Sequence, residues 1–142
     1  MSTNQETYYS VTVDVVFRDI DVMGHVNNAV YFTYMETART NFFMKHLGLE
    51  NPSDLPFILA QTSCTYRSSA QFGERLNVKI SVSRIGRKSF DLSYDILTNS
   101  GRKVADGSSV LVTFDYSARS SIPIPDDILS LLMEYSKPDP VV

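Results

Sequence analysis

The chain has 142 residues, 43% of them hydrophobic and 20% charged, which is the composition of one folded domain rather than of a disordered tail or a two-domain enzyme. Its 13 Lys and Arg against 16 Asp and Glu leave a formal charge of -3, the wrong balance for neutralising many phosphates, so no nucleic-acid partner is expected. A lone cysteine, Cys64, makes no internal disulfide, the opening Met1-Ser-Thr-Asn-Gln-Glu lacks the regions of a secretory signal, and no apolar run nears the roughly 20 residues that span a bilayer; a cytoplasmic protein is expected.

Val11, Val13, Val15 and Phe17 alternate with Thr12 and Asp14, predicting a half-buried first strand over Val11 to Phe17. Ala29 to Leu47 reads as a helix with Asn27 or Asn28 as N-cap and Gly48 as its C-terminal stop. Between Ala29 and Met44 only Glu36 and Arg39 are charged, so the helix is expected to be buried on several sides, with a sheet wrapped around it. Strands follow over Phe57 to Arg67, Leu76 to Val82, Phe90 to Ile96 and Val104 to Phe114, the last after the turn signal Asn99-Ser-Gly101. Five strands joined by short turns imply a mainly antiparallel sheet. Ile122-Pro-Ile-Pro leads into a short helix with Pro125 near its first position and Asp126 and Asp127 in its first turn, and the tail Lys137 to Val142 is expected to fray. No repeat or linker interrupts the chain. A single domain over residues 1–142 is expected, with its core at about 8–117 and a helical extension at about 122–136.

The segment Arg18-Asp-Ile-Asp-Val-Met-Gly-His-Val-Asn-Asn joins the first strand to the helix and concentrates charge, glycine and capping residues. Asp21 lies seven residues before Asn28, in a connection that Gly24 allows to bend, so its carboxylate can sit beside the free N–H groups of the helix start. Such a pairing suits acyl transfer, with the aspartate attacking or activating water and the N–H groups holding the oxyanion. Aspartate is also favoured at turns and caps in its own right, and residue type alone favours that structural role. Asp19-x-Asp21-x-x-Gly24 matches part of a calcium loop, but Met23 and Val30 occupy its fifth and twelfth positions, and His25 and His46 are too far apart for a zinc motif; no metal is assigned. Cys64 has no nearby general-base histidine and is expected to be a small buried residue rather than a nucleophile.

The string Phe17-Arg-Asp-x-Asp21-x-x-Gly24-His25-Val-Asn27-Asn28-x-x-Tyr31, followed by Glu36-x-Ala38-Arg39, resembles the signature of the 4-hydroxybenzoyl-CoA thioesterase-like family of hotdog-fold proteins. The resemblance continues through Tyr66-Arg-x-x-Ala-x-x-Gly73-Glu, Arg84-Ile-Gly-Arg-Lys-Ser89-Phe, Gly107 and Ile122-Pro-Ile-Pro, covering Val11 to Tyr135. It implies an α+β hotdog fold, a curved antiparallel sheet of about five strands around one long central helix. It also implies acyl-CoA thioester hydrolysis with Asp21 as nucleophile or general base and the Asn28 backbone N–H as oxyanion donor. Tyr31 and Phe32 would line an acyl pocket or serve the core. Where the Tol-Pal-associated branch carries a histidine seven residues after the aspartate, this chain has Asn28. Its histidine is His25, which would orient Asp21, bond the substrate or bond backbone.

Glu36 and Arg39, three apart on the helix, are expected to form a salt bridge or a polar tie to the sheet, with Glu36 a secondary candidate for a catalytic base. Arg84, Arg87, Lys88 and Ser89 offer donors to the phosphates of coenzyme A, or form a solvated hairpin turn. Coenzyme A enters only as part of the substrate; no cofactor is expected. The resemblance further implies a homo-oligomer, a dimer or a dimer of dimers, with the site between subunits. Hydrolysis of acyl groups on acyl carrier protein and non-catalytic acyl-CoA binding on the same scaffold are the competing functions.

Overall fold

The computed structural model describes residues 7–136; the tail Lys137 to Val142 lies outside them. Strand β1 (Tyr9–Asp14) starts and stops earlier than alternation suggests. The Val15 N–H turns to the Glu74 carbonyl at 2.9 Å, and Phe17–Asp19 form a 3-10 turn whose entry is fixed by Asp19 Oδ2 accepting the Val16 N–H at 3.0 Å. Phe17 therefore leaves the strand and stands 79% exposed.

Helix α1 (Val30–Leu47) begins at Ala29, so neither asparagine is the cap residue. Asn27 works one step earlier: its Oδ1 accepts the Ala29 N–H and its carbonyl the Val30 N–H, both at 2.9 Å. Gly48 ends the helix at φ 64°, the left-handed conformation that costs glycine nothing. Tyr31, Tyr34, Met35, Ala38, Phe42 and Phe43 are buried, while Thr33, Glu36, Thr37 and Asn41 are exposed. The sheet thus covers one side of the helix rather than several. The threonines and Asn41 carry no charge, but they are polar enough to form a solvent face.

The remaining strands are β2 (Phe57–Tyr66), β3 (Arg75–Ile85), β4 (Ser89–Thr98), β5 (Lys103–Asp115) and the short β6 (Ser120–Ser121). All pairings between them are antiparallel, in the order β1-β3-β4-β5-β2, with β6 added to β5. Leu76, Val78, Ile80 and Val82 of β3 and Phe90, Leu92, Tyr94 and Ile96 of β4 turn one face to α1, and each is at most 1% exposed. Burying each of the aliphatic and Phe side chains is worth about 1.5–3 kcal/mol, so these two strands and the helix carry most of the core. Gly107 permits the close approach of helix and sheet: a Cβ there would collide with the Ser63 backbone oxygen and stand 2.9 Å from the Met35 sulfur. Helix α2 (Asp126–Glu134), capped by Pro125, seals the far end by burying Ile128, Leu131 and Leu132.

This is an α+β hotdog fold, a curled antiparallel sheet around one long helix. A β-bulge falls in β2, where the register against β5 shifts between Leu59 and Gln61. Residues directly opposite share a face, so Phe57 and Leu59, opposite buried Thr113 and Leu111, and Thr62, Cys64 and Tyr66, opposite Ser109, Gly107 and Ala105, all face the helix side. β2 is also the edge of the sheet, and most of its residues are exposed.

Candidate active site

The loop between β1 and α1 is held by its own backbone. Asp21 N–H donates to the His25 carbonyl and Gly24 N–H to the Asp21 carbonyl, each at 3.0 Å, with Gly24 at φ 81° making the reversal. Asp19 fastens this loop to the helix. Its Oδ2 accepts the Tyr34 hydroxyl at 2.9 Å and its carbonyl accepts the Asn27 N–H at 2.9 Å. Val26 N–H then donates to the Ala70 carbonyl at 2.9 Å, and the Ala70 N–H to the Tyr31 phenol at 3.3 Å, which draws in the connection between β2 and β3.

These ties create a cleft of about 460 Å³ lined by Asp21, His25, Asn27, Asn28 and Tyr31 from one segment and by Tyr66, Arg67, Ser68 and Ser69 from the other. Asp21 is half-buried; its Oδ1 accepts the Met23 N–H at 2.9 Å, which fixes the carboxylate, and among the described residues Oδ2 has no donor. The Asn28 N–H, just ahead of the helix, likewise has no acceptor among the described residues, while its carbonyl accepts the Tyr66 hydroxyl at 3.0 Å. An anchored carboxylate and a free backbone donor therefore share one cleft beside the positive end of the helix dipole.

The other sequence candidates divide. His25 lines the cleft, but its ring is exposed and makes no hydrogen bond to any described residue. Tyr31 lines it while only 2% exposed, and burial pushes its phenol above the ordinary range. Phe32 instead lines a neighbouring groove between α1 and β2. Arg84, Arg87, Lys88 and Ser89 lie at the opposite end of the sheet. Ser89 pairs with Val112, whereas the Tyr66 end of the cleft is level with Ala105, about 24 Å further along β5 at roughly 3.4 Å per residue. There Arg84 Nη2 bonds Ser89 Oγ and Asp91 Oδ1, each at 2.8 Å, and the Asp91 bond raises its pKa. Cys64 is half-buried, and burial followed by the nearby Asp106 raises its thiol pKa, the opposite of activation.

Glu36 is away from Asp21, further along the helix, with its carboxylate 3.9 Å from Arg39 Nη2 and its side chain 67% exposed. The stronger tie of Arg39 is to the sheet, from Nη1 to the Tyr94 hydroxyl at 3.2 Å. Tyr66 and Arg67 join Asp21 within the same chain, whereas the sequence reading brings the Phe57 to Gly73 region to the site from a second subunit. The run Tyr66-Arg67-Ser68-Ser69, polar and at the end of a strand, was the available signal. Arg67 is held by Asp106 through bonds of 2.7 and 3.3 Å. Among the described residues no group of three or more His, Cys, Asp and Glu is placed to hold a metal ion, and no helix is long and apolar enough to cross a membrane.

A model of the thioesterase-like superfamily matches residues 15–132, a stretch that contains the Asp21 loop, the helix and all strands from β2 onward. The chain belongs to that superfamily, a family of thioester hydrolases. It is 27% identical over 127 residues to the long-chain acyl-CoA thioesterase FadM of Escherichia coli, covering 83% of this chain and 92% of that one. A thioesterase from Thermus thermophilus, solved in complex with coenzyme A and Zn, superposes with a TM-score of 0.78 at 32% identity, covering 87% of this chain and 95% of its own. A predicted thioesterase from Bacillus stearothermophilus superposes with a TM-score of 0.84 at 25% identity, covering 92% and 97%.

Proposed function

We propose that this protein hydrolyses acyl-CoA thioesters to a free carboxylic acid and coenzyme A. One observation carries the reading: Asp21 and Asn28 line one cleft, and among the described residues neither Asp21 Oδ2 nor the Asn28 N–H has a hydrogen-bond partner. A thioester carbonyl seated there would accept the Asn28 N–H, and negative charge growing on its oxygen would strengthen that bond. Asp21 would then either attack the carbonyl carbon, giving an anhydride that water opens, or take a proton from a water that attacks directly. In both routes the C–S bond breaks, one water is consumed, and the thiolate leaves and is protonated. Thiol release from a panel of acyl-CoAs tests the proposal. Wild type should turn over some members and Asp21→Asn should lose at least about a hundredfold in kcat while still binding substrate. Binding without turnover by the wild type would instead favour a non-catalytic acyl-CoA binder, and turnover confined to carrier-protein thioesters would favour the second enzymatic reading.

The long exposed edge of β2 supports a homodimer. A ten-residue strand whose outer edge has no neighbour among the described residues is a template for another strand, and the two-fold partner of an antiparallel pairing is the same strand of a second copy. Such pairing sets the Tyr66 end of one β2 against the Phe57 end of the other. That would carry the hairpin with Arg84, Arg87 and Lys88 of the second copy toward the Asp21 cleft, where the phosphates of coenzyme A would need donors. Light scattering of wild type against Ile58→Lys, a charge placed on this edge, tests it: the variant should shift toward monomer and lose activity with it.

A further inference from the structure

Further along the helix-facing side of β2 from Tyr66 of the Asp21 cleft, a second groove runs between β2 and α1. Thr62 and Leu59 line it next to Phe32 and Glu36, and it opens into a cavity of about 490 Å³ whose walls include Leu55, Phe57 and Leu59. Glu36, Arg39 and Leu59 line both stretches, so the two are one passage. Its walls mix apolar Leu55, Phe57 and Leu59 with Thr33, Thr40 and Thr62, and among the described residues the Arg39–Glu36 pair supplies its charges. The Arg39 side chain is only 10% exposed, yet of its five N–H donors only one meets a hydrogen-bond acceptor among the described residues, the Tyr94 hydroxyl. Glu36 stands 3.9 Å away, beyond hydrogen-bond reach.

A guanidinium that lines the groove with donors left free of protein acceptors, beside a carboxylate, is complementary to a group that both accepts and donates. A hydroxyl does this, accepting from Arg39 and donating to Glu36. A carboxylate is a poorer fit because it would meet the Glu36 charge. Glu36 lies eight residues past Asn28 on the helix side, about 12 Å at a rise of 1.5 Å per residue. An extended alkyl chain with bonds of about 1.52 Å advances about 1.25 Å per carbon, so roughly ten carbons separate the two points. We propose that this groove receives the acyl chain of the thioester and that the Arg39–Glu36 pair reads a hydroxyl about ten carbons from the thioester carbonyl. The inference rests on the thioesterase reading and adds a substrate class to it, hydroxylated medium-chain acyl thioesters.

The test measures kcat/KM for acyl-CoAs from about four to sixteen carbons, and for a chain of about ten carbons with and without a terminal hydroxyl, in wild type, Arg39→Met and Leu59→Trp. Wild type should prefer the hydroxylated chain by at least about tenfold, the scale of one bond to a charged group, and Arg39→Met should reduce that preference to within about twofold. A wild-type preference below about twofold, or one that survives Arg39→Met, overturns the proposal while leaving thioester hydrolysis intact. Should Arg39→Met fail to fold, Leu59→Trp decides. Leu59 is 45% exposed, so the larger ring does not overpack the core. It should lower kcat/KM for the chain of about ten carbons at least about tenfold more than for the shortest one. An unchanged length profile, or a change in oligomeric state alone, means that the groove is filled by a second copy and overturns the proposal. No thiol release by wild type from any member removes the thioesterase reading itself.

Discussion

The hydroxyl of Tyr34 donates to Asp19 Oδ2 at 2.9 Å, tying the first turns of the central helix to the loop that carries Asp21. The same oxygen accepts the Val16 N–H, so one carboxylate closes the end of β1 and sets the position of the reacting group. Tyr34→Phe should cost about 1 kcal/mol of stability, the usual net worth of one hydrogen bond, and should lower kcat more than it raises KM. Chemical denaturation and steady-state kinetics on the same preparations check both.

Burial, and then the bond to Asp19, push the Tyr34 phenol well above its ordinary value of 10.0, and burial raises Tyr31 in the same direction. A group whose pKa is raised in the folded state contributes its full stability below the unfolded value and loses it as pH rises toward the folded one. Stability should therefore fall above about pH 10, and Tyr34→Phe should make that fall shallower. Urea midpoints between about pH 8 and pH 11 measure the slope.

The Asn28 donor is a backbone group, which separates its substitutions sharply. Asn28→Ala should be mild. Asn28→Pro removes the N–H at a position where no described residue accepts it, and proline is tolerated at helix starts, so kcat should fall by about a hundredfold or more with helical circular dichroism retained. Full activity in the proline variant would rule out this donor.

His25 stands at the cleft, and its ring makes no hydrogen bond to any described residue. His25→Ala should cost less than about tenfold in kcat/KM, well short of the loss expected from Asp21→Asn. A loss as large as that of Asp21→Asn would make the imidazole part of the chemistry.

The paired substitution Arg87→Ala with Lys88→Ala should raise KM for CoA thioesters about tenfold, and far less for thioesters of a truncated thiol that lacks the phosphates. An equal effect on both substrates would assign the hairpin a purely structural role.

Alternation exposed β3 and β4 in the sequence because each buries one face only, and Gly48 marked the helix end because the left-handed turn needs it. The loop from Asp19 to Asn28 was legible because its contacts are mostly local. Tyr66 and Arg67 were not legible as its neighbours. They arrive through the long-range bond of Val26 to Ala70, which leaves no periodic trace. The hairpin at Arg84 was legible as a basic cluster but not as distant from Asp21, since distance along a sheet depends on strand register. The burial of Arg39 was hidden for a similar reason: a lone arginine on a helix shows its charge in the sequence, not the Tyr94 hydroxyl waiting across the core.

The bulge in β2 fixes which side chains the helix meets. Against β5 the strand needs one residue more than its partner between Leu59 and Gln61, and that surplus reverses the odd-even parity of its first half. Deleting Ala60 would restore plain alternation and leave Phe57 and Leu59 inward opposite Thr113 and Leu111, whereas closing the bulge with Ala60 retained would shift the first half by one place and turn Phe57 and Leu59 outward and Ile58 inward. The shape of the groove thus depends on where β2 places its one unpaired residue, a matter of register rather than of composition.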